Sequence, residues 1–218
     1  MTQPPKGAAW TPEPGAIVFL PKDEAGFTEQ EIYDLLRGGA PLVAAADVHD
    51  GAMIAFIPST SDLSRLVVED GEPITQLHVT DTFLGPAVDI DEETQQVIID
   101  LMKDFASKQP IIEADVFSFN VFNPEGPEPC LTAGLSGEEL ADAHDSIEAF
   151  FEELGYEPPE QHSPWVPHMT LVYDPDPSRY LTHSLMMEAG PITIDKMRVA
   201  FGGVITDIPL TGLSQTDE

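Results

Sequence analysis

Two triplets of the same kind, His78-Val79-Thr80 and His168-Met169-Thr170, hold the side chains of this sequence best suited to chemistry. In an extended strand residues i and i+2 project to the same face. Each triplet would therefore present an imidazole beside a hydroxyl, while its middle residue points the other way. If the two strands lie close together, the four polar groups converge on one cleft.

Such a cleft has the groups that an in-line displacement at a phosphodiester needs. One imidazole can take the proton of the attacking oxygen while the other protonates the leaving oxygen, because a pKa of roughly 6.5 allows both forms near neutral pH. The hydroxyls of Thr80 and Thr170 can donate hydrogen bonds to the non-bridging phosphate oxygens. We therefore expect His78 and His168 to be catalytic, with no metal and no cofactor.

The pair of triplets carries this inference, since one triplet alone is a weak signal. His144-Asp145-Ser146 is a third match, but it falls inside a predicted helix, where its residues cannot align on one face. The other histidines are predicted to have surface or capping roles: His49, His144, His162 and His183. The loop that holds His162 leads directly into the second triplet, so this histidine could line the cleft.

Strands and helices alternate from residue 51 onward, and their order predicts where each triplet lies. The first half has a buried strand at residues 52–57, a short helix at 61–67, the first triplet and a helix at 91–107. Five apolar residues are predicted to share one face of the longer helix: Val97, Ile98, Leu101, Met102 and Phe105. Two hairpin strands follow: 111–122 and 130–135.

The second half repeats this order. A capping box of Ser136 and Glu139 begins the next helix, and Gly155 ends it. Apolar residues recur through it at helical spacing: Leu140, Ala143, Ile147, Phe150, Phe151 and Leu154. A Pro-rich loop leads to the strand of the second triplet. Two further strands complete the predicted fold: 192–199 and 204–210.

The first fifty residues differ from the rest of the chain. A Pro-rich stretch precedes one short helix, which Thr28 and Glu31 cap. We interpret residues 1–50 as an N-terminal extension that serves as a linker from a larger precursor, an edge covering the core or a docking segment. The sequence thus divides into this extension, one domain at 51–212 and a C-terminal tail at 213–218.

The charge of the chain restricts its ligands. There are 39 Asp and Glu against 9 Lys and Arg, which gives a formal net charge of -30 at pH 7. Such a surface repels long polyanions, and the scattered basic residues do not form the stripe that duplex DNA requires. We expect a nucleotide, a short oligonucleotide or one RNA end as substrate, and assign the acidity to solubility or a high-salt environment.

Other compositional features predict the setting of the protein. No apolar run is long enough to span a bilayer and no signal peptide begins the chain, so we expect a cytoplasmic monomer without membrane contact. The single Cys130 can form neither an internal disulfide nor a cysteine-based metal site.

The segments 77–85 and 167–173, which contain the triplets, resemble the paired motifs of the 2H phosphoesterase superfamily, particularly RNA 2',3'-cyclic phosphodiesterases, also called 2'-5' RNA ligases. The resemblance implies a bilobal α+β fold of two antiparallel sheets with pseudo-twofold symmetry around a central cleft and helices outside. It also implies metal-free hydrolysis or ligation at 2'-linked phosphates. The chain departs from the family pattern at Asp81, where an apolar residue commonly follows the threonine, and in its acidity.

Three aromatic residues near the triplets are candidates for stacking on a substrate base: Phe83, Tyr173 and Trp165. Half-buried packing is the alternative for each. Three basic residues are the nearest candidates for phosphate contact: Arg65, Lys196 and Arg198.

The sequence leaves three functions open. The first is a metal-independent phosphodiesterase acting on a 2'-linked or 2',3'-cyclic phosphate. The second is a phosphodiesterase that degrades a cyclic-oligonucleotide messenger with the same catalytic groups. The third is a non-catalytic nucleotide- or protein-binding module of a larger phage or bacterial protein, which the N-terminal extension would suit.

Overall fold

The computed structural model describes residues 51–126, 128–156, 158–159, 161, 163–173, 176, 180 and 183–213. The predicted extension at 1–50, His162 and residues 214–218 of the predicted tail lie outside the described residues. The strands of the domain are all present, and their bounds are β1 (Gly51–Pro58), β2 (Val79–Pro86), β3 (Ile112–Phe122), β4 (Cys130–Ser136), β5 (His168–Tyr173), β6 (Gly190–Phe201) and β7 (Val204–Pro209).

These strands are all antiparallel to their neighbours and follow the order β1-β2-β5-β4-β3-β6-β7, with β1 also paired to β6. The long strand β6 divides the sheet into two halves, because its two parts have different partners. Residues 190–194 pair with β3, whereas residues 194–201 pair with β1 and residues 196–201 also pair with β7.

Each half begins at the strand of one triplet: β5 starts at His168, and β2 starts directly after His78. The first half consists of β2, β1, the C-terminal part of β6 and β7, and the second of β5, β4, β3 and the N-terminal part of β6. Counted outward from the triplet strands, both halves thus have four strands. This arrangement confirms the predicted bilobal α+β fold, with the two halves joined along β6 and where β2 meets β5.

Both triplet strands carry a β-bulge directly after the threonine. In β2 the residues on either side of Asp81 pair with consecutive residues of β1, so Asp81 is the extra residue. In β5 the residues on either side of Leu171 pair with consecutive residues of β4. A bulge bends its strand and re-aims nearby side chains, so both halves present their triplet from the same local distortion.

The helices are α1 (Thr60–Leu66), α2 (Glu92–Lys108), α3 (Glu138–Leu154) and α4 (His183–Met186). Helix α2 packs on β6 and β7, and α3 packs on β3. The Asp91 side chain caps α2 by accepting a hydrogen bond from Thr94 N at 2.8 Å.

One residue of α2 was placed wrongly by the sequence pattern. The buried stripe runs along Ile98, Met102 and Ala106, four residues apart, whereas Val97 is 52% exposed. Leu101 lies on the same flank as Val97 and is packed against the core. A long side chain on this flank can therefore reach the core, whereas the shorter, branched side chain of Val97 remains exposed to solvent.

The predicted capping box of α3 is also wrong. Gly137 is the N-cap and makes no side-chain cap, and a Cβ there would lie only 2.9 Å from the Glu113 carbonyl oxygen. Glu139 instead accepts a hydrogen bond from Glu113 N at 2.8 Å, so it ties the helix to β3. Gly155 ends the helix in the left-handed conformation with φ of 65°, as predicted.

Candidate active site

The two triplets lie side by side where β2 meets β5. Val79 pairs with Met169, and both side chains are fully buried in the core. Because paired residues share one face of a sheet and their neighbours take the other, the histidine and threonine of each triplet face away from the core. All four of these side chains are partly exposed. The structure thus brings the four polar groups together on one face.

The register also fixes how these groups are arranged. Extended by one residue from the Val79–Met169 pair, the register would place His78, which directly precedes β2, opposite Thr170 and would place Thr80 opposite His168. In a regular antiparallel pair, opposite Cβ atoms are about 5 Å apart and diagonal neighbours about 7–8 Å apart. The imidazoles therefore occupy one diagonal and the hydroxyls the other, around a space that suits a phosphate group.

Both imidazoles are anchored in the same way. His78 Nδ1 lies 2.6 Å from the carbonyl oxygen of Gln76, and His168 Nδ1 lies 2.8 Å from that of Val166, two residues upstream in each case. A carbonyl oxygen only accepts hydrogen bonds, so Nδ1 carries the proton in both rings. This fixes the tautomer and leaves Nε2 as the atom that takes or gives a proton.

The environment favours the neutral form of His78. Burial is the largest cause of the lowered pKa of His78, and the positive charges of Arg198 and His168 lower this pKa further, while the hydrogen bond to the Gln76 carbonyl opposes them. A neutral imidazole whose Nε2 can accept a proton has the form required of a general base.

Arg198 belongs to the face that carries the first triplet. Ala55 pairs with Thr80 on one side and with Arg198 on the other, so these three side chains share a face. The guanidinium is buried and forms a two-pronged ion pair with Asp207, at 2.7 Å from Nε and 3.0 Å from Nη2. Its Nη1 donates to the Thr75 carbonyl at 2.8 Å, so the charge is fixed in place.

The second triplet has a different neighbourhood. Gly134 pairs with His168, and a Cβ at this position would collide with the hydroxyl of Ser118. Asn120 donates to that hydroxyl at 2.8 Å, and buried Thr132 pairs with both Asn120 and Thr170. The second triplet is therefore surrounded by neutral hydrogen-bonding groups, whereas the first triplet lies beside a cation.

The Thr170 hydroxyl contacts two further groups. Its side chain is hydrogen-bonded to the Cys130 thiol and to the Tyr173 phenol. Burial raises the pKa of Cys130 to about 11 and that of Tyr173 to about 12, so both are protonated at neutral pH. Tyr173 is thus connected to the candidate site through Thr170.

Phe83 lies on the same face as Thr80, farther along β2. Met53 and Ala55 are two apart on β1 and pair with Phe83 and Thr80, respectively. The ring of Phe83 is partly exposed and lies near Gly51, where a Cβ would be 3.1 Å from Cε2. Its placement is compatible with the predicted contact to a base.

Trp165 is engaged with the protein itself. Its indole Nε1 donates to the Thr80 carbonyl oxygen at 3.1 Å, and its ring stacks on the His144 imidazole with centroids 4.0 Å apart and planes 13° apart. The tryptophan therefore contacts the backbone of the first triplet directly, which favours packing over stacking on a substrate.

From the sequence, neither His144 nor Asp81 was predicted to have a role near the site. His144 is buried, so its predicted surface or capping role is wrong, and its Nδ1 lies 2.8 Å from Asp81 Oδ1. The sequence did indicate that His144 is buried, because position 144 is four residues after Leu140 and three before Ile147, on the buried stripe of α3. The departure from the family pattern at Asp81 was the second signal.

The other two basic candidates lie in structural contacts. Arg65 donates to the carbonyl oxygens of Glu188 and Pro191 and lies 3.4 Å from Asp62. Lys196 lies 3.6 Å from the neighbouring Asp195. Arg65 therefore ties α1 to the start of β6.

The described residues form neither a metal-binding cluster nor a membrane-spanning helix. They contain no group of three or more His, Cys, Asp or Glu side chains arranged to hold a metal ion. Nor does this part of the chain include a helix long and apolar enough to cross a membrane.

Comparison with solved structures places this fold among known ones. The structure of TT0787 from Thermus thermophilus superposes with a TM-score of 0.53 and 21% sequence identity, and covers 75% of this chain and 100% of that one. E. coli LigT in its apo form gives a TM-score of 0.46 with 14% identity over 74% of this chain and 94% of LigT. Usb1 of Kluyveromyces marxianus gives 0.45 with 14% identity over 75% of this chain and 99% of Usb1.

The curated proteins give no significant match to this sequence. The family model of the 2'-5' RNA ligase superfamily, however, matches residues 58–199, which is well over half of the chain and includes both triplets. Together with the paired His-x-Thr strands, this match shows that the chain belongs to the 2'-5' RNA ligase superfamily, within the 2H phosphoesterases.

Proposed function

We propose that the protein is a metal-independent phosphodiesterase acting on a 2'-linked or 2',3'-cyclic phosphate of a nucleotide, a short oligonucleotide or an RNA end. The observation that carries this proposal is the matched pair of imidazoles at the starts of two neighbouring strands, each tethered through Nδ1 to the carbonyl two residues upstream. Two histidines held with Nε2 as the exchanging atom supply one general base and one general acid.

His78 is the better candidate for the base, because its lowered pKa keeps it neutral. Its Nε2 would take a proton from the attacking water as the water oxygen bonds to phosphorus. On the opposite diagonal corner, His168 as an imidazolium would give its Nε2 proton to the leaving ribose oxygen as the phosphorus–oxygen bond breaks. A cyclic phosphate then becomes a monoester, and exchange with solvent restores both protonation states.

The threonines would hold the phosphate between the imidazoles. A hydroxyl donates one hydrogen bond, and the two hydroxyls approach from opposite corners of the same space. Donors aimed at non-bridging oxygens stabilise the charge that develops there in the transition state. Phe83 beyond Thr80 is the candidate for contact with a base, whereas Tyr173 contacts Thr170 and would help to orient its hydroxyl.

The net charge of -30 supports a small substrate or a single RNA end. A long polyanion would be repelled along most of its length, whereas one phosphate needs only the local donors and Arg198 beside the first triplet.

The test is a substrate panel in the presence of EDTA. Purified protein is assayed with 2',3'-cyclic nucleotides, 2'-5'-linked oligoadenylates and cyclic dinucleotides, together with His78→Ala, His168→Ala and the exposed α3 control Asp142→Asn. We expect turnover that EDTA leaves unchanged, that each histidine variant lowers by about 10³-fold and that the control retains. Wild-type turnover unaffected by both histidine substitutions would rule the proposal out.

The panel also separates the alternatives. Preference for cyclic dinucleotides would assign the chain to messenger degradation. Tight nucleotide binding by calorimetry without hydrolysis of any substrate would identify a non-catalytic module.

A further inference from the structure

We propose that Asp81, His144 and Trp165 form a brace that positions the first triplet for catalysis. This inference rests on the proposed phosphodiesterase function. The three side chains come from β2, from α3 and from the loop before β5, and they act on the triplet from behind without touching the substrate.

The first part of the brace is the bulge residue itself. Asp81 follows Thr80 and is only 3% exposed. Its Oδ1 accepts a hydrogen bond from His144 Nδ1 at 2.8 Å, and its Oδ2 accepts one from the Thr82 hydroxyl at 2.7 Å. Both carboxylate oxygens are thus held, which fixes the rotation of the bulge that aims Thr80.

The second part leads back to the same strand. His144 stacks on Trp165 with nearly parallel planes, and the indole Nε1 donates to the Thr80 carbonyl oxygen at 3.1 Å. The contacts therefore close a ring that starts at the backbone of Thr80, passes through three side chains and returns to that backbone. A ring of this kind restrains the strand on both sides of the peptide bond between Thr80 and Asp81.

The loop that carries Trp165 is itself fastened to β2. Gln161 donates to the Phe83 carbonyl oxygen at 2.9 Å and accepts from Phe83 N at 3.0 Å, as a neighbouring strand would. Trp165 therefore acts on Thr80 from a loop that is anchored three residues farther along the same strand.

The second half of the sheet has the same bulge without a charged pair. Leu171 is the residue that corresponds to Asp81, and its side chain lies in the apolar core. An apolar residue thus suffices to build the bulge, and burying a carboxylate there costs free energy unless it is paired. The ion pair is therefore a feature beyond what the fold needs, and it lies directly beside a catalytic triplet.

The charges around His144 favour its protonated form. Asp81 on β2 faces Nδ1, Glu148 one turn later on α3 lies 3.5 Å from Nε2, and Asp145 is adjacent in the chain. Although burial acts against it, the hydrogen bond and charge of Asp81 raise the pKa of His144. In its protonated form His144 would also be stabilised by the ring electrons of the stacked Trp165.

The test of the brace separates its effect on the reaction rate from its effect on stability. Trp165→Phe keeps an aromatic ring but removes the donor to Thr80. His144→Asn keeps a donor to Asp81 but removes the stacked ring. The double variant combines Asp81→Leu with His144→Leu. Asp142→Asn on the exposed face of α3 is the control. We measure kcat, KM and the urea midpoint of each.

We expect kcat to fall by about tenfold to 100-fold in all three brace variants with little change in KM, since a displacement of about 1 Å at a catalytic group has effects of this size. The double variant removes both charged partners together and should stay folded. Unchanged kcat in folded Trp165→Phe and in the folded double variant would overturn the proposal, whatever their stability.

Failure of the proposed function gives a different result, namely no turnover by the wild type. The brace is then judged from the pKa of His78, followed by NMR of its imidazole nitrogens. Movement of this pKa toward its ordinary value in Trp165→Phe supports the brace, because a loosened strand admits water to the ring. An unchanged pKa contradicts it.

Discussion

The two halves of the sheet present the same histidine–threonine unit in different surroundings. Each has a triplet at the strand nearest its counterpart, a bulge after the threonine and an imidazole anchored through Nδ1. The first triplet lies beside buried Arg198 and is backed by the Asp81–His144 pair, whereas the second lies among neutral donors and an apolar bulge. The shared geometry supplies two imidazoles, and the differing neighbours can assign them different roles.

Removal of the two histidines, which the halves share, should have the largest effect on kcat. His78→Ala and His168→Ala should each lower kcat by about 10³-fold, within the range for loss of a general acid or base. The double variant should be little worse than either, because one proton transfer without the other does not complete the reaction. A single variant with near wild-type kcat in steady-state assays would show that the halves do not contribute equally.

Substitution of the threonines tests whether both halves contact the phosphate. Thr80→Val and Thr170→Val should each lower kcat by about 100-fold, since each removes a donor to the developing charge. Serine at either position should restore most of the rate, because it keeps the hydroxyl. If valine were tolerated at one of them, the phosphate would be bound from one half alone.

A carboxylate at the second bulge should destabilise the protein, because the described residues of this half offer it no charged partner. Leu171→Asp places a charge among apolar side chains without a partner corresponding to His144, and should lower the free energy of unfolding by about 3 kcal/mol or more. Urea unfolding at pH 7 measures this, with Leu171→Met as the volume-matched control. Wild-type stability in Leu171→Asp would mean that the halves differ less than their structures indicate.

The smallest effect concerns pH. Since the pKa of His78 is lowered, the acidic limb of kcat/KM should lie below pH 6.5, and protonation of this base at still lower pH should abolish activity. Arg198→Gln combined with Asp207→Asn removes a positive charge that lowers this pKa, so the limb should move to higher pH. A limb that stays in place would assign it to a group other than His78.

Much of the fold was predictable because it follows local periodicity. The alternation around each triplet placed Val79 and Met169 in the core, and Asp91 and Gly155 marked helix ends that the structure confirms. The capping box of α3 failed because Glu139 bonds to a neighbouring strand, which no local pattern reveals.

The site itself was predictable only in part, for the same reason. The triplets are evident from residue type and spacing, but the Asp81–His144 contact joins residues 63 positions apart on a strand and a helix. His144 was set aside because its own triplet could not work in a helix. Its place on the buried stripe of α3 mattered more than the triplet around it.

The pairing of β1 with β6 has a consequence for how the protein folds. Ala52 pairs with Phe201, so the first described strand finds a partner near the opposite end of the domain. Contacts this distant in sequence slow folding, because a long loop must close before they form. Both triplets precede β6 in the chain. A ribosome-bound chain would therefore hold them before β6 emerges to join the halves, and we expect activity to appear only after synthesis of the last strands.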